Sequence, residues 1–394
     1  MPATQTLAAP AADLAPGKTL RTIATPALVL DREKLDRNIA RLNAHLADLG
    51  VTLRPHVKTA KSVDVARRVF GGAAGPITVS TLAEAEHFAQ AGFTDITYAV
   101  GLAPDKAERA LALRGRGVDL KLVLDSVAQA HQLSEAGRAA GVVPAALIEI
   151  DCDGHRGGLL PDDPAIVEVA NALRDGGAMV SGVLTHAGES YGLRTPDDLA
   201  EAAERERAAA VTSAELLRAA GHDCPIVSVG STPTAHFARN LDGVTEVRAG
   251  VYMLFDLVMH GIGVCRIDDI AVSVLATVIG HKPEKGWILT DGGWMAMSRD
   301  RGTSAQGVDQ RYGLVCDIEG KPLGDVLVND VSQEHGILGI RASSESALPE
   351  LPVGSRVRVL PNHACATGAQ HDGYNVVAGV APEIEAFWPR MRGW

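Results

Sequence analysis

Residues 120–150 read LKLVLDSVAQAHQLSEAGRAAGVVPAALIEI, and they hold the fold in miniature. Leu120–Leu124 is a short apolar run of strand type, Ser126–Ala140 has helical character, and Ala146–Ile150 is a second strand-type run. The alternation continues in both directions. Upstream, Pro26–Leu30 is strand-like, and Asp31 can cap a helix whose apolar residues Leu35, Ile39, Leu42, Leu46 and Leu49 fall on one face. Strands are predicted at Leu53–Lys58, Ile77–Ser80, Ile96–Val100, Gly182–His186, Ile226–Val229 and Val244–Arg248, with helices at Ala165–Arg174 and Pro196–Ala220. Eight or nine βα units before Gly261 predict a TIM-type (β/α)8 barrel, an architecture of about 250 residues. The alternative is a doubly wound sheet, but no GxGxxG turn follows the first strand.

Beyond Gly261 the texture changes to strand-type segments joined by Gly, Pro and Asp turns: Ile270–Ile279, Gly286–Thr290, Gly313–Ile318, Lys321–Val328 and Ser355–Leu360. A short helical tail is expected near Pro382–Met391. Three regions follow: an arm (1–24) available to the β domain, a barrel (25–262) and a β-rich domain (263–394). The 394 residues are 46% hydrophobic, ample for a large core, and no apolar run is long enough to span a bilayer. A net charge of −11 argues against nucleic acid or a membrane surface as partner. Five scattered cysteines without a CxxC pair, and an N-terminus without a signal-peptide pattern, fit a cytoplasmic protein.

Barrels place their chemistry at the C-terminal ends of strands. Five polar clusters fall there. The first, Arg54-Pro55-His56-Val57-Lys58-Thr59, holds a lysine that becomes a Schiff-base nucleophile if desolvated and is otherwise an ordinary solvated side chain. The second, residues 151–158 (DCDGHRGG), offers Arg156 for an oxyanion. The third, 185–191 (THAGESY), offers His186 and Tyr191. The last two, 228–234 (VGSTPT after Ser228) and 248–252 (RAGVY), sit where barrels bind phosphate. A sixth cluster, Pro361–Thr367, lies in the β domain. There His363 and Cys365, two apart in an extended segment, can share one metal ion and leave positions for water or substrate. Spacing alone also fits a buried thiol beside a turn histidine.

Together these motifs resemble the D-serine dehydratase and D-threonine aldolase family of pyridoxal-phosphate enzymes, which have an alanine-racemase-type barrel plus β domain. The resemblance runs from about Thr25 to the C-terminus and includes THAG, VGSTPT, GWMAMSRDRGT and HACATGAQ. It implies that Lys58 forms the Schiff base with the cofactor, that Arg156 contacts its phenolic oxygen, and that His186 and Tyr191 lie beside it. Gly230, Ser231, Thr232, Gly250 and Tyr252 would hold the phosphate, and His363 and Cys365 a divalent metal (Zn, or Mn or Mg). A homodimer is implied as well.

Within the family, the H-A-C pattern is that of dehydratases, whereas bacterial aldolases tend to show H-C-D. The implied reaction is therefore β-elimination from a D-3-hydroxy amino acid: 3-hydroxyaspartate to oxaloacetate and ammonia, or D-serine to pyruvate and ammonia. Lys58 would serve as general base and the metal would stabilise the departing hydroxide. The rival is retro-aldol cleavage to glycine and an aldehyde. A racemase would need a second acid/base group, and a non-catalytic cofactor carrier would lack the β domain. For a distal carboxylate the candidates are Arg299, Arg301, Arg311 and His335.

Overall fold

A computed structural model describes residues 17–394; the arm expected at 1–24 lies outside the described residues as far as position 16. The first nine strands are β1 (Ala27–Asp31), β2 (Thr52–Pro55), β3 (Ile77–Val79), β4 (Asp95–Gly101), β5 (Asp119–Leu124), β6 (Ala145–Ile150), β7 (Met179–Thr185), β8 (Ile226–Val229) and β9 (Glu246–Ala249). Strands β2 to β9 form an all-parallel sheet in the order β2-β9-β8-β7-β6-β5-β4-β3. Its two ends meet through a single bridge, His56 to Thr78, so the barrel is nearly closed. The interior at the N-terminal end is filled by charge. Arg54 pairs with Glu246 (2.7 Å) and Asp95 (2.8 Å), and Lys121 joins Asp95 at 2.6 Å. Every charge in this plug has an opposite partner, which a buried ionic cluster requires.

The ninth strand is the first, and here expectation and structure part. Read as the opening of the barrel, β1 instead belongs to the second sheet. It pairs antiparallel with β10 (Val272–Lys282; Ala27↔Leu275) and parallel with β16 (Gly373–Val377; Val29↔Asn375). All five of its residues are buried, so it is covered on both faces, as a central strand is. The helix Arg32–Asp48 starts where the sequence places it. Asp31 Oδ1 accepts the N–H groups of Glu33 (3.0 Å) and Lys34 (3.2 Å), and Leu35, Ile39, Leu42 and Leu46 are buried.

The remaining strands are β11 (Trp287–Thr290), β12 (Leu314–Cys316), β13 (Pro322–Val331), β14 (Gly336–Ile340), β15 (Arg356–Leu360) and β17 (Ala386–Pro389). The order β11-β14-β13-β12-β15-β10, closed by a β10–β11 pairing, makes an antiparallel barrel that β1, β16 and β17 extend. The tail expected to be helical is therefore strand. Phe387 and Trp388 pair with Asn375 and Tyr374, where two adjacent aromatics suit a pleated edge. Among the described residues no helix is long and apolar enough to cross a membrane.

Candidate active site

A cavity of about 410 Å³ opens where the C-terminal ends of the barrel strands face the second domain. Lys58 stands three residues past the end of β2, in a turn, rather than finishing the strand. Its side chain is open to the cavity, yet protein atoms crowd the amine on most sides. That desolvation, aided by the cations Arg156 and Arg248, holds its pKa below the ordinary lysine value, against an upward pull from Cys365. Arg156 also faces the cavity. Among the described residues its guanidinium has one polar partner, Glu149 at 3.5 Å, which leaves donors for a ligand.

His186 and Tyr191 line the same cavity with ring centres 6.4 Å apart. Burial drives the His186 pKa down to about 3, so the ring is neutral, and its Nδ1 lies 2.8 Å from the Gly230 carbonyl. Gly230, Ser231, Thr232 and Gly250 complete this wall. Gly230 has φ +144°, and a Cβ there would lie 1.9 Å from the Arg248 carbonyl oxygen, so only glycine fits. Thr232 is 1% exposed and its hydroxyl has no hydrogen-bond partner among the described residues. A buried hydroxyl without a partner in a cavity wall is what an anionic group such as a phosphate would satisfy. By this measure the residues present fit pyridoxal phosphate.

The opposite wall comes from the second domain. His363 caps the short helix Ala364–Gly368 and Cys365 lies in its first turn. The extended geometry invoked above therefore does not hold, although the two side chains still converge. Burial disfavours a charged His363, but hydrogen bonds to Asp300 (2.7 Å) and Cys365 outweigh it and raise its pKa. Burial likewise pushes the Cys365 thiol up, while His363 and Thr59 (3.2 Å away) bring it below the usual thiol range. Asp256, also at the cavity, has its carboxyl pushed up by burial against the pull of His363 and the Ala364 and Met259 N–H groups. The Asp300 carboxylate and the acidified Cys365 thiol about one imidazole suit a divalent cation. No group of three or more metal-type side chains occurs among the described residues, so a metal held by the pair keeps open positions, as catalytic metals do.

Tyr252 alone among the expected cofactor residues is not in the wall; it is completely buried and its hydroxyl has no partner among the described residues. The four groups suggested for a distal carboxylate are also absent from the cavity. Arg299 stacks on Trp294, Arg301 pairs with Asp309 and covers Tyr312, Arg311 lines a separate pocket, and His335 is exposed. The structure adds Thr59, Asp256, Asp300 and Arg248 to the site. Arg248 could have been suspected from its place at the end of β9. Asp256 caps the helix Leu257–Ile262 and Asp300 lies within the quoted GWMAMSRDRGT stretch, but neither position by itself marks a cavity residue.

Residues 30–257 match the family model "Alanine racemase, N-terminal domain", and 271–377 match "Putative serine dehydratase domain". The chain is 54% identical to the D-threo-3-hydroxyaspartate dehydratase of Delftia sp. strain HT23, over 95% of this chain and 99% of that one. It is 28% identical to the D-serine dehydratase of Dictyostelium discoideum (94% and 97% covered). To a D-threonine aldolase of Arthrobacter sp. it is 29% identical (94% and 93% covered). The solved structure of the Delftia enzyme superposes with a TM-score of 0.93, covering 96% of this chain and all of that one. A cysteine-to-alanine variant of a D-threo-3-hydroxyaspartate dehydratase, solved in a metal-free form, has a TM-score of 0.92.

Proposed function

The chain belongs to the D-serine dehydratase and D-threonine aldolase family of pyridoxal-phosphate enzymes, and from that premise we propose that it is a divalent-metal-dependent dehydratase, a lyase, acting on D-threo-3-hydroxyaspartate. The net reaction removes water across Cα–Cβ, then returns water with release of ammonia, giving oxaloacetate. D-Serine would give pyruvate and ammonia by the same course.

One observation carries the reading: a single cavity places the desolvated Lys58 opposite the His363–Cys365 pair. The bound cofactor supplies an electron sink for charge left on Cα. Lys58 anchors it and, as a neutral amine, removes the Cα proton. Arg156 would meet the phenolic oxygen, His186 and Tyr191 would lie beside the ring, and Gly230, Ser231, Thr232 and Gly250, without the buried Tyr252, would hold the phosphate. His363 and Cys365 would hold the metal, zinc or alternatively manganese or magnesium, whose Lewis acidity stabilises a departing hydroxide. We place the enzyme in the cytoplasm as a homodimer. The five free cysteines support a reducing compartment, and the family resemblance supports the dimer.

Product analysis tests this. D-threo-3-hydroxyaspartate, D-serine and D-threonine are supplied separately with pyridoxal phosphate and metal. Ammonia matched by oxaloacetate or its decay product pyruvate, and lost with chelator, is expected. Glycine and an aldehyde as main products would make the protein an aldolase.

A further inference from the structure

Glu206 has no place in the chemistry above. It sits in the helix Pro196–Ala219, is 2% exposed and does not line the cavity. Yet three donors converge on it. Its Oε1 accepts the backbone N–H groups of Ala187 and Gly230, each at 2.9 Å, and its Oε2 accepts the Thr234 hydroxyl at 2.6 Å. Burial raises its pKa, while these donors and the nearby Arg248 act to lower it.

The identity of the donors matters more than their number. Ala187 directly follows His186, the neutral ring of the cavity wall, and Gly230 opens the turn that continues through Ser231 and Thr232. One carboxylate oxygen therefore fixes the distance between the end of β7 and the end of β8. The His186 Nδ1 contact to the Gly230 carbonyl ties the same two segments from the cavity side. The second oxygen holds Thr234, whose Oγ1 accepts the Ser231 N–H (3.1 Å) and lies 2.9 Å from Ser231 Oγ. Ser231 Oγ in turn lies 2.9 Å from Ser190 Oγ. Beside this chain stands Thr232, whose buried hydroxyl is unpartnered.

We propose that Glu206 is a positioning residue that sets the spacing between the His186 face and the Gly230–Thr232 turn, so that the turn meets the cofactor's phosphate while the ring rests against the imidazole. The inference rests on reading that turn as the phosphate holder. A strut of this kind acts on a ligand that spans both segments and hardly on one that touches only the ring side. Pyridoxal phosphate spans them; pyridoxal, with the same ring and no phosphate, does not.

The test compares pyridoxal phosphate and pyridoxal binding to apoprotein by equilibrium titration, with inorganic phosphate as a competing probe. In Glu206→Met, which keeps volume but cannot accept, pyridoxal phosphate affinity should fall roughly 10- to 100-fold while pyridoxal affinity changes little. Phosphate competition should weaken in parallel. Glu206→Gln, whose amide oxygen can still accept both N–H groups, should retain most of the discrimination. Should the Met variant fail to fold, Glu206→Asp, which retracts the carboxylate by one methylene, takes its place with the same expectation. A folded Met or Asp variant with an unchanged affinity ratio overturns the role of Glu206. If instead Ser231→Ala and Thr232→Val also leave the ratio unchanged, the phosphate assignment of the turn itself fails, and this proposal with it.

Discussion

His363 Nδ1 lies 2.7 Å from Asp300 Oδ2, which leaves Nε2, the nitrogen on the Cys365 side, as the one that would meet a metal. A carboxylate behind a ligating histidine fixes its tautomer and raises its basicity. Asp300→Ala should weaken metal binding roughly 10- to 100-fold, read by titration with cobalt(II) and its thiolate absorption. Asp300→Asn should fall between this variant and the parent. An unchanged affinity in both would mean that the contact is incidental.

The low pKa of Lys58 arises first from desolvation and next from the Arg156 cation, so each should be visible in cofactor loading. A neutral amine is the reactive form, and lowering its pKa moves reactivity to lower pH. Schiff-base formation in apoprotein should therefore reach half its maximal rate below the ordinary lysine pKa of about 10.4. Arg156→Met removes a cation, raises the lysine pKa and shifts that midpoint upward. The rate of appearance of the visible cofactor band across pH checks the sign; a downward shift would contradict it.

What the sequence made legible follows from which signals are local. Strands β5 and β6 and the helix between them lie within a residue or so of the expected bounds, because burial on both sides leaves continuous apolar runs. The Asp31 cap was equally readable. The placement of β1 was not: ALVLD looks alike in either sheet, and only pairing partners more than 240 residues away decide it. The strand β14, GILGI, hid behind its glycines, and β17 behind flanking prolines. At the site, residues in Gly-rich or strand-end motifs were found. Thr59 and Asp300 sat inside quoted motifs but carried no role, and Asp256 was readable only as a helix cap. Arginines near the GWMAMSRD stretch were drawn in by proximity in sequence, and the fold turns them away from the cavity.

Three histidines are held neutral by burial: His56 well below its usual pKa, His186 at about 3 and His236 at about 4. In the unfolded chain each takes up a proton below its ordinary value near 6.5, while the folded protein does not. The unfolded state then binds more protons, so stability falls as pH drops through that value and keeps falling towards the folded pKa values. The slope is up to about 1.4 kcal/mol per pH unit for each histidine. Urea unfolding of apoprotein at about pH 7 and about pH 5 measures it, and His186→Asn should reduce the slope by about one proton. An equal slope in that variant would mean that the ring is protonated in the folded state.

The last expectation concerns Arg390, near the C-terminus. Its Nε donates to the Ala60 carbonyl (2.9 Å) and its Nη2 to that of Thr59 (3.1 Å), while the Tyr374 hydroxyl also donates to Ala60 (3.0 Å). Met391 N–H reaches the Lys61 carbonyl at 2.7 Å. Three successive carbonyls following Lys58 are thus held from the second domain. The guanidinium also lies against Gly368, where an added Cβ would come within 3.0 Å of its carbon, at the end of the helix that bears Cys365. Arg390→Met would strand the buried Thr59 carbonyl and leave that of Ala60 to Tyr374 alone, at the junction of the lysine turn and the metal-pair helix, costing about 1–3 kcal/mol. It should lower the urea midpoint of apoprotein and slow cofactor loading together. Arg390→Lys, with a single point of donation, should recover part of the stability but not the loading rate. Equal recovery of both would show that Arg390 supplies charge alone and leaves the Lys58 turn to hold itself.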